Sequence, residues 1–497
     1  MKNRDKKIEL KLEVKNFGPI SDGRITLKPF TLFIGPNNSG KSYAAMLIHS
    51  IFESYSPSSL PRNLPFFIRR RFLPENIDIK FFLKEFPELK KQIDNLKGDQ
   101  ELAIPKEVIE NIIRRIFKEI YEKGLSEEIA KSFACTPREL VMIGENSFSL
   151  RIDFNSYSAH LKLLRDKLEI EKYPQIDIGA KIKKIGLASF KMFIYDKGKE
   201  VLTTNIGFGQ EIKIKSIYPF IIDAIFRLSF TIILKKSAVL CYYLPASRSG
   251  ILQGHKAIVA DILEKIPYVS IGGKIEVAKF SGVVFDFLSS IITLPEERGY
   301  FYKMAQDFEK EIIKGEIFVH RPEEFAYPEI KYNFKGTEIQ LHRASSTVSE
   351  LAPLFLYLKY IIEPGSILII EEPEAHLHPE NQRILAKFLV RLLRKGVYII
   401  ITTHSEYLLE QLSSFILLSK IQKRKRVEKY KYEEGDYIKT DEIATYVFDY
   451  DPNSGGHKVK RVEITEEDGI SQKEFLKIHE ALYEESIRLQ KDLNVNS

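Results

Sequence analysis

An α/β fold built on a parallel sheet is predicted by three apolar runs, each ending in a polar cluster. Phe30 to Ile34 runs into Gly35-Pro36-Asn37-Asn38-Ser39-Gly40-Lys41-Ser42. Ser366 to Ile370 ends in Glu371-Glu372. Gly396 to Thr403 ends in His404-Ser405. Strands apolar on both faces belong inside a parallel sheet. Open sheets of this kind bind ligands beyond the carboxyl ends of their strands.

The first cluster fits G-x-x-x-x-G-K-[ST], the phosphate-cradling P-loop, and Tyr43 to Ile51 reads as the helix that leaves it. Gly35 and Gly40 allow positive φ and close approach of the backbone to an anion. The peptide N–H groups and the positive end of the helix then favour phosphate. Gly35, Pro36, Asn37, Asn38, Ser39, Gly40, Lys41, Ser42 and Tyr43 are therefore the candidate nucleotide-binding residues. Lys41 is expected between the β- and γ-phosphates of ATP. The Ser42 hydroxyl is expected on magnesium (Mg2+), which keeps most of its waters.

In the second cluster, Glu371 is placed to hold the magnesium through a water, and Glu372 to polarise a water for attack on the γ-phosphate. In the third, Ser405 reads as the cap of a helix from Glu406 to Leu412. That puts His404 at the same sheet edge, near the γ-phosphate. Lys41, Glu372 and His404 are the candidate catalytic residues.

The set GPNNSGKS, ILIIEEPEAHLHP and ITTHS resembles the ABC-class ATPases of the RecF, SMC and OLD group, as does the opening Leu12 to Ile20. The resemblance implies a P-loop NTPase fold with an ABC-type head, split by helical and mixed α/β insertions. It also implies a signature loop that caps the nucleotide of a second protomer. His342 to Leu351 matches that loop, with Ser345 on the signature serine and Ser346 beside it. Thr347-x-x-Glu350 reads as a capping box opening an apolar helix from Leu351 to Ile362. Pro353 removes a donor there, so the helix is expected to start late or bend. Ala375-His376-Leu377-His378-Pro379 falls where such proteins run along the dimer seam, with a metal site as the weaker reading of its histidines. The family's magnesium-sensing glutamine has three candidates, Gln175, Gln210 and Gln253. Arg248, after an apolar strand from Ala238 to Leu244, is expected either to reach a phosphate or a partner carboxylate or to be solvated.

More than three hundred residues separate Lys41 from Glu372, so the head must be split. Residues 1–58 form its first part. Residues 59–235 form a mainly helical insertion with short strands. Residues 236–420 form its second part, with a small insertion near 255–335, and residues 421–497 a hairpin and helix. Val108, Ile109, Ile112, Ile113, Ile116, Phe117, Ile120 and Tyr121 mark an amphipathic helix face. Residues 148–206 read as short strands mixed with helices, and 315–342 as strands. Prolines 61, 65, 74, 87, 105 and 137 exclude a long heptad rod. Phe415 to Ser419 reads as a further sheet strand. Ile443 to Asp451 and Lys458 to Ile464 read as a hairpin, and Ser471 to Leu493 as a helix. Asp449-x-Asp451 resembles the acidic pair of a TOPRIM nuclease only superficially, and the hairpin reading is preferred.

The net charge of +7 is modest for 497 residues and does not announce a nucleic-acid binder. Arg69-Arg70-Arg71 and the run Lys420 to Lys431 are read as a solvated helix face and a solvated hairpin. No membrane span or signal peptide is evident, and Cys135 and Cys241 are isolated, so cytoplasmic residence is expected. The expected partner is a second copy, in a homodimer or higher oligomer. The resemblance extends to ATPase subunits of phage-defence systems such as PARIS and Septu, which work with a separately encoded nuclease effector. The alternatives are a RecF-like DNA-clamping ATPase and an ATP-gated scaffold with negligible turnover.

Overall fold

The computed structural model describes residues 8–55, 79–155, 157–186, 189–207, 217–237, 239–254, 281–321, 329–472 and 482–490. The chain divides into two compact units. One comprises Met1–Ile8, Pro19–Ala45 and Cys241–Ser497, the other Glu9–Gly18 and Met46–Leu240.

In the first unit the strands lie in the order Cys241–Leu244, Ile367–Glu371, Tyr398–Thr402, Phe30–Ile34, Ile443–Asp451, Gly456–Arg461 and Ile20–Thr26. The first five are mutually parallel. Every residue of Phe30–Ile34 and of Ile367–Glu371 is buried, as their unbroken apolar sequences require. Glu371 stands opposite Thr402, and Thr402 opposite Phe33. The register therefore brings the residues after Ile34, Glu371 and Thr402 to one carboxyl edge.

The helices Ser346–Tyr360, Pro379–Arg394 and Glu406–Lys420 share a core with these strands. Phe308 and Phe388 stack there with ring centroids 3.8 Å apart. Pro353 neither delays nor ends its helix, which starts at Ser346 and carries the proline inside. Residues Val348 to Lys359 are all buried, and that burial outweighs the lost bond, worth about 3 kcal/mol. Phe415 to Ser419 is not a strand. It continues the helix capped by Ser405, because Leu408, Leu409, Leu412, Phe415 and Ile416 repeat at helical spacing and are all buried. Glu316–His320, Glu329–Phe334 and Thr337–Gln340 form the antiparallel sheet expected near 315–342. The hairpin of Ile443–Asp451 with Gly456–Arg461 is present. Its Asp449 and Asp451 pair with Lys460 and Lys458, each at 2.7 Å. The basic run does not form a hairpin. Lys423–Glu428 is a short helix, and Arg426 is buried over the Tyr437 ring. Of the closing helix, residues 482–490 are helical, and 471–472 are not.

In the second unit, Leu10–Phe17, Ser149–Phe154, Tyr157–Leu164 and Lys167–Lys172 pair antiparallel in that order. A second sheet runs Lys199–Gly207, Ser189–Asp196, Ile178–Gly186 and Glu101–Ala103. The stretch 148–206 thus holds strands and no helix among its described residues. Its alternating burial, as in Ile178, Ala180 and Ile182, is the period of a half-buried sheet. The predicted amphipathic face is buried from Val108 to Tyr121, on an α-helix, Lys106–Phe117, that continues as the π-helical turn Lys118–Leu125. Arg69 to Arg71 and Gln210 lie outside the described residues.

Candidate active site

The loop between Phe30–Ile34 and the helix Lys41–Tyr55 takes the conformation its glycines permit. Gly35 has φ of 136°, Asn38 61° and Gly40 103°. A Cβ on Gly40 would meet Ile20 Cγ1 at 2.8 Å, and one on Gly35 would meet the Phe448 carbonyl at 2.7 Å. No larger residue fits either place. Pro36, Asn37, Asn38 and Ser42 are exposed and Tyr43 is partly exposed, so the loop opens to solvent. Lys41 folds back over the loop. Its Nζ donates to the carbonyls of Gly35 at 3.0 Å and Pro36 at 2.7 Å. The Ser39 hydroxyl is buried without a hydrogen-bond partner. A buried cation bonded to two loop carbonyls, and a buried hydroxyl with no hydrogen-bond partner among the described residues, suit an incoming anion.

Burial lowers Lys41 to about 8, against the pull of Glu372, Glu374 and Glu371, which raise it. These three carboxylates therefore act on Lys41. Glu371 ends its strand buried, and its Oε2 accepts from the Ala246 N–H at 3.0 Å. The Tyr243 hydroxyl is pushed well above its usual range, first by burial and then by Glu371. Glu372 follows with φ of 42°, a left-handed conformation that a non-glycine residue adopts at a cost. Its N–H donates to the Thr402 carbonyl at 3.0 Å. One carboxylate oxygen lies 4.0 Å from His404 Nε2. Burial and Lys41 lower His404 from its ordinary value while Glu372 raises it, and the net lowering favours the neutral ring.

Glu374 was missed as a site residue, although it belongs to the same Glu-Glu-Pro-Glu run. Its Oε1 accepts from Thr403 Oγ1 at 2.7 Å and from the His404 N–H at 2.8 Å.

Ser345 and Ser346 are exposed at the tip of the helix Ser346–Tyr360. Neither hydroxyl bonds the P-loop among the described residues. The capping box is not formed. Ser345 is the cap, accepting from the Val348 N–H at 3.4 Å, while Thr347 Oγ1 donates to the His376 carbonyl at 2.9 Å. Glu350 turns instead to Arg248, accepting from its N–H at 3.0 Å. Arg248 is not solvated, and its hydrogen bonds among the described residues go to Glu350, Pro245, Glu371 and Glu372. It is 1% exposed and paired with Glu350 at 3.3 Å. His378 caps the helix Pro379–Arg394, and no group of three metal-ligating side chains occurs among the described residues.

The family model described as the AAA ATPase domain matches residues 8–221 and 274–409, well over half of the chain. The chain belongs to this family. It is an ATPase-type protein with the α/β P-loop fold, as its motifs predict. No curated protein matches it. Similar solved structures include an SMC head bound to the C-terminal winged-helix domain of ScpA, at 13% identity and TM-score 0.38, covering 92% of this chain and 98% of that one. Another is the Pyrococcus furiosus SMC head with an extended coiled coil bound to the C-terminal domain of ScpA. It has 12% identity and TM-score 0.37, with 96% and 99% coverage. The SMC head domain of Thermotoga maritima shows 12% identity and TM-score 0.31, with 92% and 99% coverage. No helix among the described residues is long and apolar enough to cross a membrane.

Proposed function

We propose that this AAA-family protein is a magnesium-dependent ATP-hydrolysing switch whose sites are completed between two copies of the chain. The observation that carries the reading is the convergence on Lys41 of Glu371, Glu372 and Glu374, beside His404, at one sheet edge. In this reading Lys41 leaves the Gly35 and Pro36 carbonyls and engages the triphosphate. The exposed Ser42 hydroxyl and Glu371 would hold magnesium, which would supply neutralisation of phosphate charge. Glu372 orients a water and accepts its proton. Neutral His404 steadies the γ-phosphate by hydrogen bonding.

The exposed tip bearing Ser345 and Ser346 offers a capped helix end to a nucleotide held by a second copy. ATP then favours the paired state only by its differential affinity for it. The biological setting we favour is the ATPase subunit of a cytoplasmic, prokaryotic anti-phage system with a separately encoded nuclease. Its support is the resemblance of the motifs and the ordinary ion-paired hairpin at Asp449 and Asp451.

Complementation tests the shared site. Lys41→Ala and the double variant Ser345→Arg, Ser346→Arg should each be inactive alone. Mixed, they should regain ATP hydrolysis, because each mixed pair holds one intact site. No recovery at any mixing ratio contradicts shared sites.

A further inference from the structure

Arg248 makes more polar contacts than any ion pair in the first unit requires. Its Nε donates to the Glu350 carbonyl at 3.1 Å. Nη1 donates to the carbonyls of Pro245 at 3.1 Å and Glu371 at 2.6 Å. Nη2 donates to the Glu372 carbonyl at 3.3 Å and lies 3.3 Å from Glu350 Oε1. The Glu350 carboxylate also accepts from the N–H groups of Arg248 and Ser249, both at 3.0 Å. The Glu350 side chain is wholly buried.

One planar guanidinium thus ties the carbonyls of both strand-end glutamates to the helix that Ser345 caps. A second tie runs in parallel, from Thr347 on that helix to the His376 carbonyl. Glu372, in its left-handed conformation, is itself an acceptor in the first tie. Apolar residues can often replace a buried ion pair without loss of stability. This guanidinium directs two of its nitrogens, Nη1 and Nη2, to the carbonyls of Glu371 and Glu372 and the third, Nε, to the helix carbonyl of Glu350, a fork geometry that lysine cannot reproduce.

We propose that Arg248 is a positioning residue: it sets the backbone of Glu372 and couples it to the helix tip bearing Ser345. The inference rests on Glu372 acting as the base. A shift of the tip on meeting a second copy would then be transmitted to the carboxylate through Glu350 and Arg248. Misplacement by about 1 Å is enough to cost about 100-fold in rate. Nucleotide affinity, set by the P-loop, should stay nearly unchanged.

The test measures ATP affinity by calorimetry, single-turnover hydrolysis and melting temperature for Arg248→Ala, Arg248→Lys, Glu350→Gln and Glu372→Gln. The expected result is a fall of about 100-fold in turnover for Arg248→Lys, with affinity within about threefold of the parent. Methylguanidinium should restore part of the activity of Arg248→Ala and none of that of Glu372→Gln. If Arg248→Ala does not fold, Arg248→Lys and Glu350→Gln decide the matter. Parental turnover in both, as folded proteins, overturns the proposal while an inactive Glu372→Gln leaves the base in place. Parental turnover in Glu372→Gln overturns the hydrolysis reading and the coupling with it.

Discussion

Glu374 holds His404 by its backbone: the carboxylate accepts the His404 N–H at 2.8 Å while also accepting from Thr403 Oγ1. Glu374, two residues after Glu372, therefore sets where the histidine emerges from the neighbouring strand. Burial raises Glu374 above the usual carboxylate range against these two bonds, which lower it. Glu374→Leu leaves the Thr403 hydroxyl and the His404 N–H without their acceptor, a cost of about 1–3 kcal/mol per buried group. Melting should fall, and turnover should fall at least tenfold. Glu374→Gln, which keeps one acceptor oxygen, should recover most of the stability. Thermal melts and steady-state hydrolysis of the two variants check this.

The depressed Lys41 makes ATP binding depend on pH. In the free protein Lys41 loses its proton near pH 8, below its ordinary 10.5. The folded state then holds fewer protons than the unfolded state between about 8 and 10.5, so this group favours folding as pH rises through that window. A bound triphosphate restores the higher value, so binding above pH 8 takes up a proton. Affinity should be flat below pH 8 and weaken by up to about tenfold per pH unit above it. Calorimetry in buffers of different ionisation enthalpy should detect the proton uptake, and Lys41→Ala should abolish binding.

Away from the site, Lys359 and Glu309 form a wholly buried ion pair at 2.8 Å, and Lys359 also lies 3.3 Å from Glu316. Burial raises Glu309 to about 7 even with Lys359 beside it. Lys359→Met removes one partner only and should cost about 3–5 kcal/mol. The double variant Lys359→Met, Glu309→Leu should recover most of that loss. Urea unfolding of the single and double variants measures both.

The parts of the site legible in the sequence were those set by local chemistry. The glycines of the P-loop, the apolar strands and the carboxylates ending one of them announce themselves within ten residues. The roles of Arg248 and Glu350 did not, because they arise from a pairing across about a hundred residues that no local pattern encodes. Thr347 and Glu350 matched a capping box, yet a buried arginine competed for the glutamate and won. Phe415 to Ser419 misled for a related reason. A short apolar run fits strand or helix alike, and only its continuity with the helix capped by Ser405 decides between them. The strands of 148–206 were blurred by their many lysines, which alternate outward on half-buried sheets.

The most direct measurement is single-turnover hydrolysis by Glu372→Gln, with ATP affinity measured on the same sample. Loss of the base should slow hydrolysis by at least about 100-fold while affinity stays within a few-fold of the parent. Hydrolysis at the parental rate would show that Glu372 is not the residue that activates water.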